Sequence, residues 1–169
     1  MHQILPPSPW FERYAHLLPP GTVLDLACGS GRHTKALLAR GYAVVALDRD
    51  AAALASLAGS GAVLIEADIE NAPWPLAGKL FSGVVVANYL WRALLPKIIA
   101  CVAPGGVLIY ETFAAGNERF GKPSNPNFLL QPGELLRACS TLKVLAFEDI
   151  TVQLPAPACV QRIVARRES

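Results

Sequence analysis

The sequence predicts an α/β fold: a mostly parallel sheet with helices on both faces, closing in an antiparallel hairpin. Three observations carry this. From Thr22 onward, short apolar strand-like runs alternate with helical patterns, the order expected of βαβ units. An early run, Val23-Leu24-Asp25-Leu26, turns through Ala27-Cys28-Gly29-Ser30-Gly31 directly into a helical pattern. Two late runs, over 143–149 and 158–165, are joined through 153–157, too short for the crossover that parallel neighbours require. That pair is expected to be antiparallel.

The elements follow in order. Residues 1–21 are Pro-rich at both ends and read as an N-terminal capping helix. Ser8 is placed to cap it and Pro9 to occupy its first position. Trp10, Phe11, Tyr14 and Leu17 give it an aromatic face, and Trp10 is a candidate substrate contact. Further helices are expected over about 31–40, 50–58, 91–102 and 132–140, with Gly41 stopping the first of these.

The segment 113–131 is longer than the ~12–15 residues of ordinary connections, and such loops are usually functional or disordered. Its aromatics and asparagines argue for an ordered lid over a substrate, with Phe113, Phe120, Asn125, Asn127 and Phe128 as contacts. Core packing of Phe120 and Phe128 is the competing reading.

Composition sets the frame. A chain of 169 residues is expected to form one domain over 1–169, and 53% hydrophobic with 17% charged residues excludes a disordered chain. No apolar run reaches the ~18–20 residues of a membrane span, and no signal peptide opens the sequence, so a cytoplasmic protein is expected. Cys28, Cys101, Cys139 and Cys159 are scattered without a C-x-x-C pair. They read as buried thiols, not as a disulfide frame or metal site. The net charge is +2 and basic residues are dispersed, apart from Arg162, Arg166 and Arg167. That is not the basic patch of a nucleic-acid protein.

The glycine turn and one acid carry the functional signal. Glycine lets a backbone loop lie against a ligand. The next apolar run, Ala43-Val44-Val45-Ala46-Leu47, delivers Asp48 to a strand end, where a carboxylate accepts hydrogen bonds from both hydroxyls of a ribose. Together they point to a nucleoside-containing cofactor. The dinucleotide fingerprint G-x-G-x-x-G/A asks for a small third residue, but Thr34 stands there.

Asp25-x-Ala27-x-Gly29-x-Gly31 instead resembles the D/E-x-G-x-G-x-G loop of class I S-adenosylmethionine-dependent methyltransferases, with alanine in the first glycine slot. The rest of the chain extends the resemblance in family order. Val63-Leu64-Ile65-Glu66-Ala67-Asp68-Ile69 looks like the third-strand motif, and Gly83-Val84-Val85-Val86-Ala87-Asn88-Tyr89 like the fourth. Ala103-Pro104-Gly105-Gly106 resembles the turn before the fifth.

The resemblance implies a Rossmann-like, doubly wound sheet of about seven strands in the order 3-2-1-4-5-7-6, the last strand antiparallel. It implies S-adenosylmethionine as cofactor, with Asp48 and neighbouring Arg49 at the ribose and Asp68 and Ile69 at the adenine. Gly29, Gly31, Cys28 and Ser30 would offer backbone, and Asn88 would lie beside them. Asp25 either orders the loop, meets the methionine ammonium through water, or is a buried structural acid. Arg32 or His33 is placed for the methionine carboxylate at a helix start.

Methyl transfer from a sulfonium is an in-line displacement that requires alignment and exclusion of water more than a nucleophilic side chain. Tyr89, Trp91, Arg92, Glu111 and Thr112 fall near the carboxyl ends of the fourth and fifth strands, where open α/β sheets place ligands. Tyr89, Arg92 and Glu111 are the catalytic candidates: Arg92 to hold an anionic acceptor, Glu111 to act as a base. Asn88-Tyr89 lacks the prolines of the N-P-P-Y quartet of amino-methylating nucleic-acid enzymes. The cofactor half also resembles tellurite-resistance methyltransferases and their small-molecule relatives, which act on small, soft or oxyanionic acceptors. A small-molecule acceptor is therefore expected. Methylation of tRNA or protein and a silent cofactor-binding module stay open, as do monomer and homodimer.

Overall fold

The computed structural model describes residues 5–169; the first four residues of the 1–21 capping segment lie outside it. Seven strands form one sheet: β1 (Thr22–Leu26), β2 (Ala43–Asp48), β3 (Val63–Glu66), β4 (Phe81–Ala87), β5 (Val102–Phe113), β6 (Lys143–Val152) and β7 (Ala158–Arg166). Their order is β3-β2-β1-β4-β5-β7-β6, as the resemblance implied. The first five strands pair in parallel, and β7 runs antiparallel to both β5 and β6. The strand order reverses between β1 and β4, which are parallel neighbours, and this switch point places the carboxyl ends of β1, β2 and β4 around one crevice.

Central strands are covered on both faces, which is why β1 and β4 read as nearly unbroken apolar runs. Alternation along β5 separates two cores. Leu108 and Tyr110 join Leu94, Ile98 and Leu135 on one face, while Val107 and Ile109 join Trp10, Phe11 and Leu37 on the other.

The helices are α1 (Pro9–Tyr14), α2 (Arg32–Ala39), α3 (Ala51–Ala55), α4 (Leu95–Ala100) and α5 (Glu134–Ala138). In α1 the Ser8 hydroxyl accepts the Phe11 N–H at 3.1 Å, and Pro9 stands in the first turn. Gly41, with φ 87°, ends the turn after α2. The other helices are shorter than their sequence patterns. Pro96 in the first turn of α4 cannot donate to a preceding carbonyl, so the start of the 91–102 pattern forms a separate 3₁₀ turn over Arg92–Leu94.

Pro104-Gly105-Gly106 lies within β5 as a bulge and not before it. The pairing with β4 shifts register between Phe81 and Gly83. A Cβ on Gly106 would stand 2.8 Å from the Ala103 carbonyl oxygen.

Candidate active site

The turn after β1 is built by three left-handed residues, Ala27 (φ 55°), Gly29 (φ 56°) and Gly31 (φ 85°). Alanine thus adopts the conformation that the glycine it replaces would supply. The turn is tied to β2: Cys28 N–H donates to the Leu47 carbonyl at 3.0 Å, and Gly29 N–H donates to Asp48 Oδ2 at 2.8 Å. Asp48 Oδ1 accepts from Asp50 N–H at 2.9 Å, so both oxygens are oriented by backbone while keeping free lone pairs.

The two glycines differ in why they are needed. A Cβ on Gly29 would meet nothing within 4 Å, whereas one on Gly31 would stand 2.5 Å from Leu57 Cδ2. Gly31 answers to packing, and Gly29 leaves open space above the loop.

A cleft of about 480 Å³ opens over these strand ends. That lies within the roughly 300–1,000 Å³ of small-molecule sites. One end is lined by Ala27, Asp48, Arg49, Asp68 and Ile69, joined by Leu47 and Ala67. Asn88, Tyr89, Leu90, Thr112, Phe113, Pro123 and Phe128 line the cleft from β4, β5 and the segment after β5, and Glu70, from the turn after β3, meets Tyr89 between the two groups.

Asp68 stands where the cleft meets the turn after β3. It lines the cleft and also caps the turn that follows, accepting from Glu70 N–H, Asn71 N–H and the Asn71 side chain. The Asn71 hydrogen bond holds its carboxyl below the usual range. Tyr89 OH donates to Glu70 Oε2 at 3.1 Å, and burial with that carboxylate pushes its phenol well up. Tyr89 therefore keeps its proton and acts as a donor.

Several expected site residues are occupied elsewhere. Asp25 is 2% exposed beneath the loop and does not line the cleft. Thr34, the residue in the third glycine slot, donates to it at 2.7 Å, and burial raises its carboxyl to about 7. It orders the loop as a buried acid. His33 is 4% exposed, accepts the Ser8 N–H on Nε2 at 3.1 Å and packs on Phe11. Burial lowers it to about 4, so it is a neutral anchor for α1 and not a carboxylate ligand. Cys28 is half-buried, its thiol pushed up to about 12 by burial, and Ser30 is held through its carbonyl by Ser56. Neither lines the cleft.

The catalytic candidates change most. Glu111 follows Val107 and Ile109 on the α1 face of β5, with Oε2 3.3 Å from Arg162 Nε. The Arg162 guanidinium also stacks over Trp10 at 5.8 Å. This pairing takes Glu111 out of the cleft as a base. Trp10 is 2% exposed and its indole N–H donates to the Ile163 carbonyl at 3.4 Å, so it is core and not a substrate contact.

Arg92 makes a two-pronged pair with Glu134, at 2.8 and 3.0 Å, and donates to the carbonyls of Pro126, Asn127 and Leu129. It is spent on holding the 113–131 segment and is not free for an anionic acceptor.

Within that segment, Phe113 and Phe128 reach the cleft. Phe120 is exposed beneath the Arg119 guanidinium, and the Asn125 side chain caps Pro126–Phe128 by accepting the Asn127 N–H. Asn127 offers its carbonyl to Arg92. Phe120, Asn125 and Asn127 therefore shape the segment without lining the cleft.

Sequence reasoning passed over Leu47, Ala67, Glu70, Leu90 and Pro123 as cleft residues. Glu70 was accessible, standing two residues after Asp68 on the same strand-end turn.

The residues at the first end suit a nucleoside cofactor. A carboxylate is aimed by two N–H groups, the adjoining loop has no Cβ at Gly29, and a second acid stands across the cleft. Comparisons agree. A methyltransferase domain family matches residues 23–106. TehB from Haemophilus influenzae is 20% identical with a TM-score of 0.75, over 93% of this chain and 61% of that one. This chain thus spans about three fifths of that protein's length. The Burkholderia thailandensis 1,6-didemethyltoxoflavin-N1-methyltransferase, with bound 1,6-didemethyltoxoflavin and S-adenosylhomocysteine, is 19% identical with a TM-score of 0.68, over 95% and 76% of the two chains. The N-methyltransferase NodS from Bradyrhizobium japonicum, in complex with S-adenosylhomocysteine, is 18% identical with a TM-score of 0.70, over 96% and 89%. No curated protein sequence matches significantly. No helix among the described residues is long and apolar enough to cross a membrane. Motif order, sheet order and domain match agree: residues 23–106 match the methyltransferase domain family, and the sheet as a whole has the fold of the S-adenosylmethionine-dependent methyltransferases it resembles.

Proposed function

We propose that residues 1–169 act as one domain that methylates a small-molecule acceptor, held against the cofactor by the 113–131 segment. The observation that carries the reading is the division of one cleft into an acid-bearing end at β1–β3 and an aromatic end at β4, β5 and Phe128. When bound, S-adenosylmethionine supplies an activated methyl group. Asp48 holds the ribose, Asp68 and Ile69 the adenine, and the Ala27–Gly29 backbone lies beside the donor.

At the other end, Asn88, Tyr89, Thr112, Phe113 and Phe128 orient the acceptor and exclude water, the contributions an in-line displacement needs from the protein. The buried thiols fit a cytoplasmic setting. Incubation with radiolabelled methyl donor and separate pools of metabolites, tRNA and protein tests this. Label in the metabolite pool is expected; label confined to tRNA or protein overturns it.

A further inference from the structure

Resting on the reading above, we infer that the acceptor is a nitrogen nucleophile of the amine or nitrogen-heterocycle class, uncharged at the reacting atom, and not an oxyanion or carboxylate. The charges lining the cleft argue this. Three carboxylates, Asp48, Asp68 and Glu70, face it with one guanidinium, Arg49, among the described residues. Arg49 adjoins Asp48 and acts electrostatically on both Asp68 and Tyr89, so it is shared between the two ends.

The other cations near the aromatic end are committed elsewhere. Arg92 is fixed to Glu134 and three carbonyls, and Arg162 is held between Glu111 and Glu148. Arg119 is bound to the Gly116 carbonyl and stacked on Phe120. An anionic acceptor would enter a lining in which three carboxylates outnumber the single Arg49 guanidinium, with Glu70 beside Tyr89. Like charges at short range in a partly dry site repel strongly.

The same lining favours a nucleophile that gains positive charge. The nitrogen lone pair forms the new bond to the methyl carbon while the sulfur–carbon bond breaks. That bond's electrons stay on sulfur, and the now cationic nitrogen releases a proton to water where it carries one. Charge therefore leaves sulfur and builds on nitrogen beside Glu70, whose Oε2 is held by Tyr89 while Oε1 accepts no hydrogen bond among the described residues. Thr112 supplies a neutral handle: it is 3% exposed, lines the cleft, and its hydroxyl has no partner among the described residues. Phe113, Phe128 and Leu90 accommodate an apolar body.

The test is fractionation by charge. Purified protein is incubated with radiolabelled methyl donor and a small-molecule extract, with tellurite and selenite in parallel. Products are then separated on cation and anion exchangers at neutral pH. Label at least tenfold higher in the cation-exchange and neutral fractions than in the anion-retained fraction is expected. Label retained on the anion exchanger, or transferred to either oxyanion, overturns the inference while leaving methyl transfer intact. Label in no fraction overturns both. Glu70→Gln is expected to raise KM for the labelled acceptor about tenfold, measured beside calorimetric affinity for S-adenosylhomocysteine; an unchanged KM also overturns it.

Discussion

Ala27 and Asn88 leave adjacent strands with the same left-handed backbone, φ 55° and 57°, and both line the cleft. Their strands are in register just before they turn, Leu26 opposite Val86, so the two bends open one crevice. Among the described residues they are the non-glycine residues with positive φ. Such conformations cost about 1–3 kcal/mol and persist where surrounding structure imposes them. Ala27→Gly should leave stability within about 1 kcal/mol of the parent. Ala27→Val, β-branched where φ is positive, should lose about 2 kcal/mol or more and weaken S-adenosylhomocysteine binding. Urea unfolding with calorimetry measures both, and a valine variant as stable as the parent would contradict the strained turn.

Legibility in the sequence followed the reach of each interaction. Asp48 was readable as a cleft residue because β2 ends in it, and Asp68 because it follows the end of β3 by two residues, and each strand fixes where its acid emerges. The hairpin followed from a connection too short for a crossover. What could not be read was which distant group claims a polar side chain. His33 is taken by Ser8 across 25 residues and Arg92 by Glu134 across 42, while Glu111 is taken by Arg162 from β7. Spacing identifies a residue's type and position but not its partner. Gly29 and Gly31 show the same limit, one leaving open space and the other making room for Leu57.

Gly31 is expected to behave as a packing glycine. Gly31→Ala places a methyl group 2.5 Å from Leu57 Cδ2 and strains a φ of 85°, and should cost at least 2 kcal/mol. Leu57→Ala creates space but leaves a cavity, a loss of about 2–5 kcal/mol alone. The double variant should be more stable than the sum of the two losses by about 1 kcal/mol or more. Strict additivity in denaturant unfolding would show that Leu57 is not the obstacle.

Asp48 should govern nucleoside affinity. Asp48→Ala removes the acceptor for two backbone N–H groups and for the ribose, so S-adenosylhomocysteine binding should fall more than tenfold, about 1.4 kcal/mol. Adenosine should lose a similar factor, because it carries the same ribose. Calorimetric affinities within threefold of the parent for both ligands would remove Asp48 from the site.

Arg92 should act on the 113–131 segment. Its five hydrogen bonds need a planar, forked cation, which lysine cannot reproduce. Arg92→Lys should therefore speed trypsin cleavage after Arg119 about tenfold, with a smaller effect on S-adenosylhomocysteine affinity. Mass spectrometry of the fragments reads the first and calorimetry the second. Unchanged cleavage would mean that the segment holds itself in place.

Asp25 and His33 give stability opposite dependences on pH. Burial raises Asp25 to about 7, so the fold retains its proton more tightly than the unfolded chain does. Its stabilisation is complete below its unfolded value near 3.8 and is lost as pH rises through about 7. His33 lies at about 4 in the fold against 6.5 unfolded, so its contribution is complete above 6.5 and is lost as pH falls through about 4. The two slopes overlap and partly cancel in the parent, so single variants are needed to separate them. Parent minus Asp25→Asn stability should decline between pH 5 and 8, and parent minus His33→Gln should decline as pH drops from 6.5 to 4.5. Each slope is at most about 1.4 kcal/mol per pH unit, the limit for one proton. Glutamine preserves an acceptor for the Ser8 N–H, so the second difference isolates titration from loss of the hydrogen bond. A flat difference curve for either variant would show that its group does not titrate with folding.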